Sequence, residues 1–401
     1  MRIVHISDLH LGFRQFQRLT EAGMNQREVD VARAFRLAID RIIDLRPEVI
    51  VIGGDVFHNV RPTNPAILHA FNELSRLTRE LADSIVVMIA GNHDTPRVAE
   101  TGCILRLFAP LGVHVVDREP RRLAFPELGL AILAVPDTMG RRPLLVPDPA
   151  ARYNLLLLHG EVGGVLPRHA GMADRAALEI SREELGPARW SYVALGHYHV
   201  HREIAPNAFY SGSIEYASAD PWRELEEERG AGIPGKGFVE HDLASGAHTF
   251  HHLPGARRLI DLPAFSARGM TSAELDAAIS DACATPGGGS GLEGLEDNIV
   301  RLVVRDVPRH IARGLDHRAL REIRRMALHF HLDTRRPDLL RAHGQGVPGR
   351  RPSITDVVRD SLASRVIEND IDREALIDLG LSYLDAADAE ENVASMTPEI
   401  S

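Results

Sequence analysis

The sequence predicts an α/β protein: a two-sheet sandwich flanked by helices, then a small second α/β domain and C-terminal helices. Three observations lead there. Short apolar runs alternate with helical periodicities through residues 2–6, 26–45, 49–52, 65–81 and 85–90. Motifs bearing histidine and aspartate follow directly on the apolar runs, and the carboxyl ends of strands are where open α/β sheets bind ligands. Past Pro254-Gly255 the strand–helix alternation restarts on an arginine-rich segment.

The first strand, residues 2–6, precedes a helix over 26–45 with Val29, Ala32, Phe35, Leu37, Ile39, Ile42 and Ile43 at helical spacing. Arg46-Pro47 ends it, because the residue before a proline is disfavoured in the α region. Residues 49–52 form a buried strand, and 65–81 a second helix carrying Ile67, Leu68, Phe71, Leu74 and Leu77. A βαβαβ beginning implies a parallel sheet with right-handed crossovers. Beyond Val113 the runs shorten. Hairpin-like segments at 121–125 and 130–135 predict a second, more antiparallel sheet packed on the first, joined by strands at 154–158 and 192–195. Further short strands fall near Phe209-Tyr210, 237–240 and 248–251, closing a first domain of residues 1–254.

Residues 258–262, 272–283, 298–305, 316–326 and 328–332 read as strand, helix, strand, helix, strand in a second domain of residues 255–342. Gly287 to Gly291 is a flexible loop within it, and 343–352 is a Gly/Pro/Arg linker. Residues 353–385 carry two short apolar stripes (Ile354, Val357, Val358, Leu362, Val366, Ile367; then Leu376, Leu379, Leu381, Leu384), and 386–401 read as a disordered polar tail.

Composition narrows the function. A hydrophobic content of 44% suits a protein with a real core. Aromatics at 5% argue against extensive base-stacking surfaces, and a net charge of −10 excludes a polycation wrapped around nucleic acid. Arginine nevertheless dominates between Asn298 and Arg351, while Lys236 is the sole lysine, which reads as genome composition bias. Cys103 and Cys283 make no CxxC pair or disulfide framework, which suits a reduced cytoplasm. No stretch approaches a membrane span, and the amino terminus begins as a strand rather than a leader. The expected location is the cytoplasm, associated with the nucleoid.

Five motifs carry the chemistry: Asp8-Leu9-His10, Gly54-Asp55, Gly91-Asn92-His93-Asp94, His159-Gly160 and Gly196-His197-Tyr198-His199. Residues two apart on an extended strand end share a face, so Asp8 and His10 pair, as do His197 and His199. Any one motif has an ordinary explanation: a turn, a helix cap or a core histidine. Five in order, each at a strand end, point to a pair of divalent cations. Mixed imidazole and oxygen donors suit Mn, Zn or Fe. Two ions about 3.5–4 Å apart clamp the attacking and leaving oxygens of a phosphoryl transfer, with Asp55, nearest the middle of the motif order, as the bridge. A hydroxide bridging the ions would attack phosphorus, so no serine or cysteine nucleophile is needed. Neither a Walker loop nor a GxSxG elbow is present.

The set resembles the calcineurin-like metallophosphoesterase superfamily. Gly54-Asp55-Val56-Phe57-His58 followed by Arg61-Pro62 resembles its DNA-repair branch, the SbcD-type exonuclease subunit. The resemblance covers about residues 1–253 through its motifs and the remainder by layout. It implies the metallophosphoesterase sandwich with a capping domain. It also implies that Asp8, His10, Asp55 and His199 hold one metal and Asp55, Asn92, His159 and His197 the other, with Mn as the ion. His93 would contact the scissile phosphate or protonate the leaving oxygen, and His58 would position the phosphate. Protein-phosphatase relatives carry an arginine pair where this chain has Val56-Phe57-His58 and His93-Asp94, which turns the reading away from phosphoprotein substrates.

The implied function is a two-metal DNA exonuclease, with endonuclease activity as an option, acting in double-strand-break repair with an SMC-like ATPase of the SbcC type. That partner would dock on residues 353–385, and a homodimer would form within the complex. Arg301, Arg305, Arg321, Arg324 and Arg325 are the candidate DNA contacts, since arginine suits phosphate recognition. The rival readings are a hydrolase of small phosphodiesters or cyclic nucleotides and a non-catalytic binding module.

Overall fold

A computed structural model describes residues 1–96, 102–137, 144–164, 176, 178–284, 292–337, 354–364 and 372–394. Strands β1 (Arg2–Ile6), β2 (Val49–Ile52), β3 (Ile85–Ile89) and β4 (His114–Val116) run parallel. Helices α1 (Gln26–Leu45) and α2 (Asn64–Glu80) make the first two crossovers. Each helix begins where its sequence supplies a cap. The Asn25 side chain accepts from the Arg27 amide, and the Thr63 hydroxyl accepts from Ala66 ahead of α2. Arg46, in the left-handed conformation just before Pro47, ends α1.

The next segments are β5 (Arg121–Phe125), β6 (Leu130–Val135), β7 (Tyr153–His159), β8 (Glu161–Val162), β9 (Glu179–Ile180), α3 (Arg182–Leu185), β10 (Tyr192–Gly196), β11 (Arg202–Ala205) and β12 (Ala208–Tyr210). Helix α4 (Pro221–Ala231) precedes the hairpin β13 (Gly237–Asp242) and β14 (His248–His252), which returns to the first sheet. That sheet has the order β14-β13-β1-β2-β3-β4, and the second β11-β12-β10-β7-β6-β5.

The second sheet is not the more antiparallel one expected. Its four central strands β12, β10, β7 and β6 are parallel, and only the edge strands β5 and β11 run against their neighbours. The reason lies in Leu155 to Leu158. All four are buried, alternating between two cores, as a parallel strand covered on both faces requires.

Alternation also divides the first sheet. Ile3, Val49, Val51, Val87 and Ile89 face the second sheet, meeting Ile132, Leu155, Leu157, Tyr192 and Phe209. Val4, Ile6, Ile50, Ile52 and Met88 face α1 and α2 through Phe35, Ile39, Ile42, Leu74 and Leu77. Truncating one such buried leucine or isoleucine to alanine costs about 2–5 kcal/mol. Both sheets are therefore fixed in register, and their carboxyl ends open at the same place.

Strands β15 (Leu259–Ser266), β16 (Ile299–Arg305) and β17 (His329–Thr334) form a separate parallel sheet, crossed by α5 (Ser272–Ala284), α6 (Arg309–Arg313) and α7 (His317–Met326). It has its own core around Leu275, Ile279, Leu302 and Ile323. Residues 1–336 make one compact unit and residues 337–401 a second. The second unit contains α8 (Ile354–Ser364) and α9 (Arg373–Ala394). These two helices approach closely at Gly380, where a Cβ would meet Leu362 Cδ1 at 2.8 Å. Helix α9 runs to Ala394, past the expected start of the tail at residue 386. The glycine loop at 287–291, the linker at 343–352 and residues 395–401 lie outside the described residues.

Two buried histidines between the sheets give the fold an acid limit. Burial holds the His5 imidazole down to about 3 from an ordinary 6.5. Burial, helped by His248, holds His241 at about 4. The unfolded chain therefore binds more protons between about pH 6.5 and 4, and stability falls as pH falls through that window. Urea unfolding at stepped pH is expected to show this loss, and His5→Gln to flatten it. An unchanged slope in that variant would contradict it.

Candidate metal centre

Every motif sits just past, or at the end of, a strand. Asp8 and His10 follow β1, Asp55 follows β2, and Asn92 and His93 follow β3. His159 ends β7, and His197 and His199 follow β10. Four of these residues hold left-handed backbone: Asp8 (φ 54°), His10 (46°), Asp55 (49°) and His197 (106°). Each such residue costs about 1–3 kcal/mol unless its surroundings enforce it. Here the loops lock one another. The Asp8 amide donates to Gly54 O at 3.0 Å, the His10 amide to Asp55 O at 2.9 Å, and the His197 amide to Asp8 Oδ1 at 3.0 Å.

The glycines beside the ligands are equally constrained. A Cβ on Gly91 would fall on the Asp55 carboxylate, and one on Gly196 would run into Gly53 O. Asp94 fastens the arrangement from below by accepting from the amides of Val56, Phe57 and Gly91 at 3.0–3.1 Å.

The side chains gather into two sets that share one residue. In the first, Asp8, His10 and His199 converge, with His10 Nε2 2.9 Å from His199 Nε2. In the second, Asp55, His159 and His197 converge. Asn92 Oδ1 lies 3.0 Å from His159 Nε2 and 3.2 Å from His197 Nδ1. Asp55 Oδ2 is 3.4 Å from His159 Nε2 and 3.9 Å from His10 Nε2, so this one oxygen faces both sets.

These spacings fit a metal cradle. Ligands about 2.1 Å from an ion lie about 3.0–3.4 Å apart across an octahedral or tetrahedral edge. His10 Nε2 and His199 Nε2, 2.9 Å apart, lie close to that range of separations.

Outer partners set the tautomers. His159 Nδ1 donates to Gly53 O at 2.7 Å, and His199 Nδ1 faces Glu224 Oε1 at 3.2 Å, so Nε2 of each ring is the atom turned toward the other candidate ligands. His197 is turned the other way. Its Nε2 meets Glu161 Oε1 at 3.3 Å, and Nδ1 faces Asn92. Sequence reasoning missed both glutamates, since neither lies in a motif.

Charge in the centre is tightly balanced. Burial opposes ionisation of Asp55, but the imidazoles of His159, His10 and His93 hold its carboxyl far below the usual range. Burial likewise opposes protonation of His159, yet Asp55 raises it to about 10. His10 moves down, through burial and the neighbouring His199.

His58 and His93 stand beside the first set. His93 donates its amide to Asp55 Oδ1 at 2.9 Å and its Nδ1–H to His58 O at 2.7 Å. The two rings stack at 5.2 Å, and His58 Nδ1 is 3.3 Å from His10 Nδ1.

The arginines do not join the centre. Arg301 is committed elsewhere: it is bidentate to Asp261 at 2.7–2.9 Å and lies over the Trp222 ring. Its guanidinium is thus held by Asp261 and Trp222. Arg305, Arg321, Arg324 and Arg325 are exposed. Arg324 lines a cleft of ≈ 620 Å³ with Phe16, Arg18 and His329.

The calcineurin-like phosphoesterase family matches residues 1–201, half of the chain. The chain belongs to that family. Its members use divalent metal ions, and the clusters described here are able to hold them. Among curated relatives, the DNA double-strand break repair protein Mre11 of Methanocaldococcus jannaschii is 27% identical over 257 residues, covering 61% of this chain and 63% of that protein. Mre11 of Methanopyrus kandleri is 26% identical, covering 58% and 52%. Mre11 of Sulfurisphaera tokodaii is 30% identical, covering 63% and 62%. The chain thus matches between about half and two thirds of the length of these relatives.

Asp55 raises the His159 pKa to about 10 and metal ligation requires the neutral ring, so metal binding is expected to expel a proton. Titration calorimetry with Mn²⁺ at about pH 7.5 in buffers of different ionisation enthalpy is expected to report release of about one proton or more. Buffer-independent heats would contradict that protonation state.

Proposed function

We propose that this protein is a two-metal phosphodiesterase that cleaves DNA, an exonuclease with possible endonuclease action in double-strand-break repair. The observation that carries the reading is Asp55 Oδ2, facing two sets of ligands at once with His93 and His58 alongside. Asp8, His10, Asp55 and His199 would hold one ion and Asp55, Asn92, His159 and His197 the other, with Mn the proposed ion among the three (Mn, Zn and Fe) that suit this donor mixture. When bound, the ions supply the Lewis acidity that activates water and neutralises phosphate charge. The protein's part is to orient and to move a proton. His93, fixed through Nδ1 and its amide, presents Nε2 to the leaving oxygen, and His58 places the phosphate against it.

The similarity to Mre11 proteins supports DNA as the substrate and double-strand-break repair as the setting. An SMC-like ATPase is the proposed partner of α8 and α9, where Ile354, Val357, Leu379 and Tyr383 are exposed. Two copies of the chain would act within that complex. No helix among the described residues is long and apolar enough to cross a membrane, and the proposed location is the cytoplasm.

The test is hydrolysis by the purified protein with Mn²⁺, comparing linear duplex DNA with bis-p-nitrophenyl phosphate and cyclic nucleotides. DNA is expected to be degraded, with His93→Ala lowering the rate by about 10²- to 10⁴-fold. Turnover of small diesters with DNA untouched would replace this reading with that of a small-molecule phosphodiesterase.

A further inference from the structure

The chain has 46 basic residues, Lys and Arg together, and Lys236 is the one lysine. It is buried, with its side chain 2% exposed. Its ammonium pairs with Glu224, lies 2.9 Å from Glu228 Oε1, and donates to the backbone carbonyl of His199 at 2.9 Å. Below it is the Tyr216 ring, 4.5 Å away, whose hydroxyl also donates to Glu228. Glu224 in turn faces His199 Nδ1 at 3.2 Å.

We propose that Lys236 is a positioning residue for the metal centre, fixing His199 from two sides: through its own carbonyl and through Glu224 on its imidazole. The inference rests on His199 being a metal ligand.

Three features carry it. Glu224 and Glu228 are four apart on α4, so two buried carboxylates lie on one helix face. Lys236 lies against both, and the same Glu224 carboxylate that it holds meets the His199 ring. Nζ donates to the His199 carbonyl and to Glu224 and lies 2.9 Å from Glu228 Oε1, an arrangement that suits a compact ammonium with rotatable donors better than a planar guanidinium. Finally, Lys236 lies between Gly235 and Gly237 at the start of β13. A Cβ on Gly237 would collide with His251 O, so the backbone there is packed too closely for a larger neighbour. The lysine thus directly precedes a strand of the first sheet while it braces His199, which follows β10 of the second.

The test is calorimetric binding of Mn²⁺ to the full chain, comparing wild type, His199→Ala, Lys236→Met, Lys236→Arg and Glu224→Gln, with thermal melting of each metal-free protein alongside. Lys236→Met is expected to weaken one of the two ions by about 10- to 100-fold, as loss of a ligand's outer support does, and to leave the other within about threefold. Lys236→Arg is expected not to rescue it. A merely structural lysine would lower the melting temperature without separating the two ions. If Lys236→Met does not fold, Glu224→Gln, which keeps the shape and removes the charge held by Lys236, is expected to weaken the same ion. Folded Lys236→Met protein, or Glu224→Gln in its place, with both affinities within threefold of wild type overturns the proposal, provided His199→Ala loses an ion. If His199→Ala also binds both ions normally, the metal assignment of His199 fails first and the proposal falls with it.

Discussion

The structure depends on one constraint: a buried carboxylate, Asp55, must stay ionised while facing imidazoles from both sheets. Burial opposes that charge, and His159, His10 and His93 offset it. Bringing them to the same carboxylate requires the carboxyl ends of two separately packed sheets to open at one place. The inter-sheet core, with Val51 and Ile89 against Leu157 and Ala194, fixes that meeting. The left-handed backbone at Asp8, His10, Asp55 and His197 is the local cost of turning side chains inward so soon after their strands. Interlocking amides and closely approached glycines keep those turns in place.

Second-layer residues then decide how the ligands point. Glu224, Glu161 and Gly53 each take one ring nitrogen of a ligand histidine and leave the other for a metal. Lys236 extends this support one step further from the chemistry. The centre is therefore a nested set of orientations, and its weakest links lie in parts of the chain that carry no motif.

That explains what the sequence made legible. The parallel half of the first sheet, its two helices and all seven candidate ligands were readable, because apolar periodicity marks strands and helices and the motifs fall at strand ends. Helix α4 was not. Its buried positions are Pro221, Glu224 and Glu228, so it shows no apolar stripe, yet it supplies the partner of His199. The direction of strands in the second sheet was also hidden, since a run such as Leu155 to Leu158 reveals burial but not the orientation of neighbours. Arg301 looked like a free surface cation among many; only the fold places Asp261 and Trp222 against it. Lys236 was visible as a singularity of composition, but only the fold sets it between α4 and the His199 carbonyl.

The most direct measurement is anomalous diffraction from crystals grown with Mn²⁺. The account predicts two peaks about 3.5–4 Å apart, with Asp55 Oδ2 between them, His10 and His199 on one ion, and His159, His197 and Asn92 on the other. A single peak, or two ions with Asp55 bound to only one of them, would contradict it.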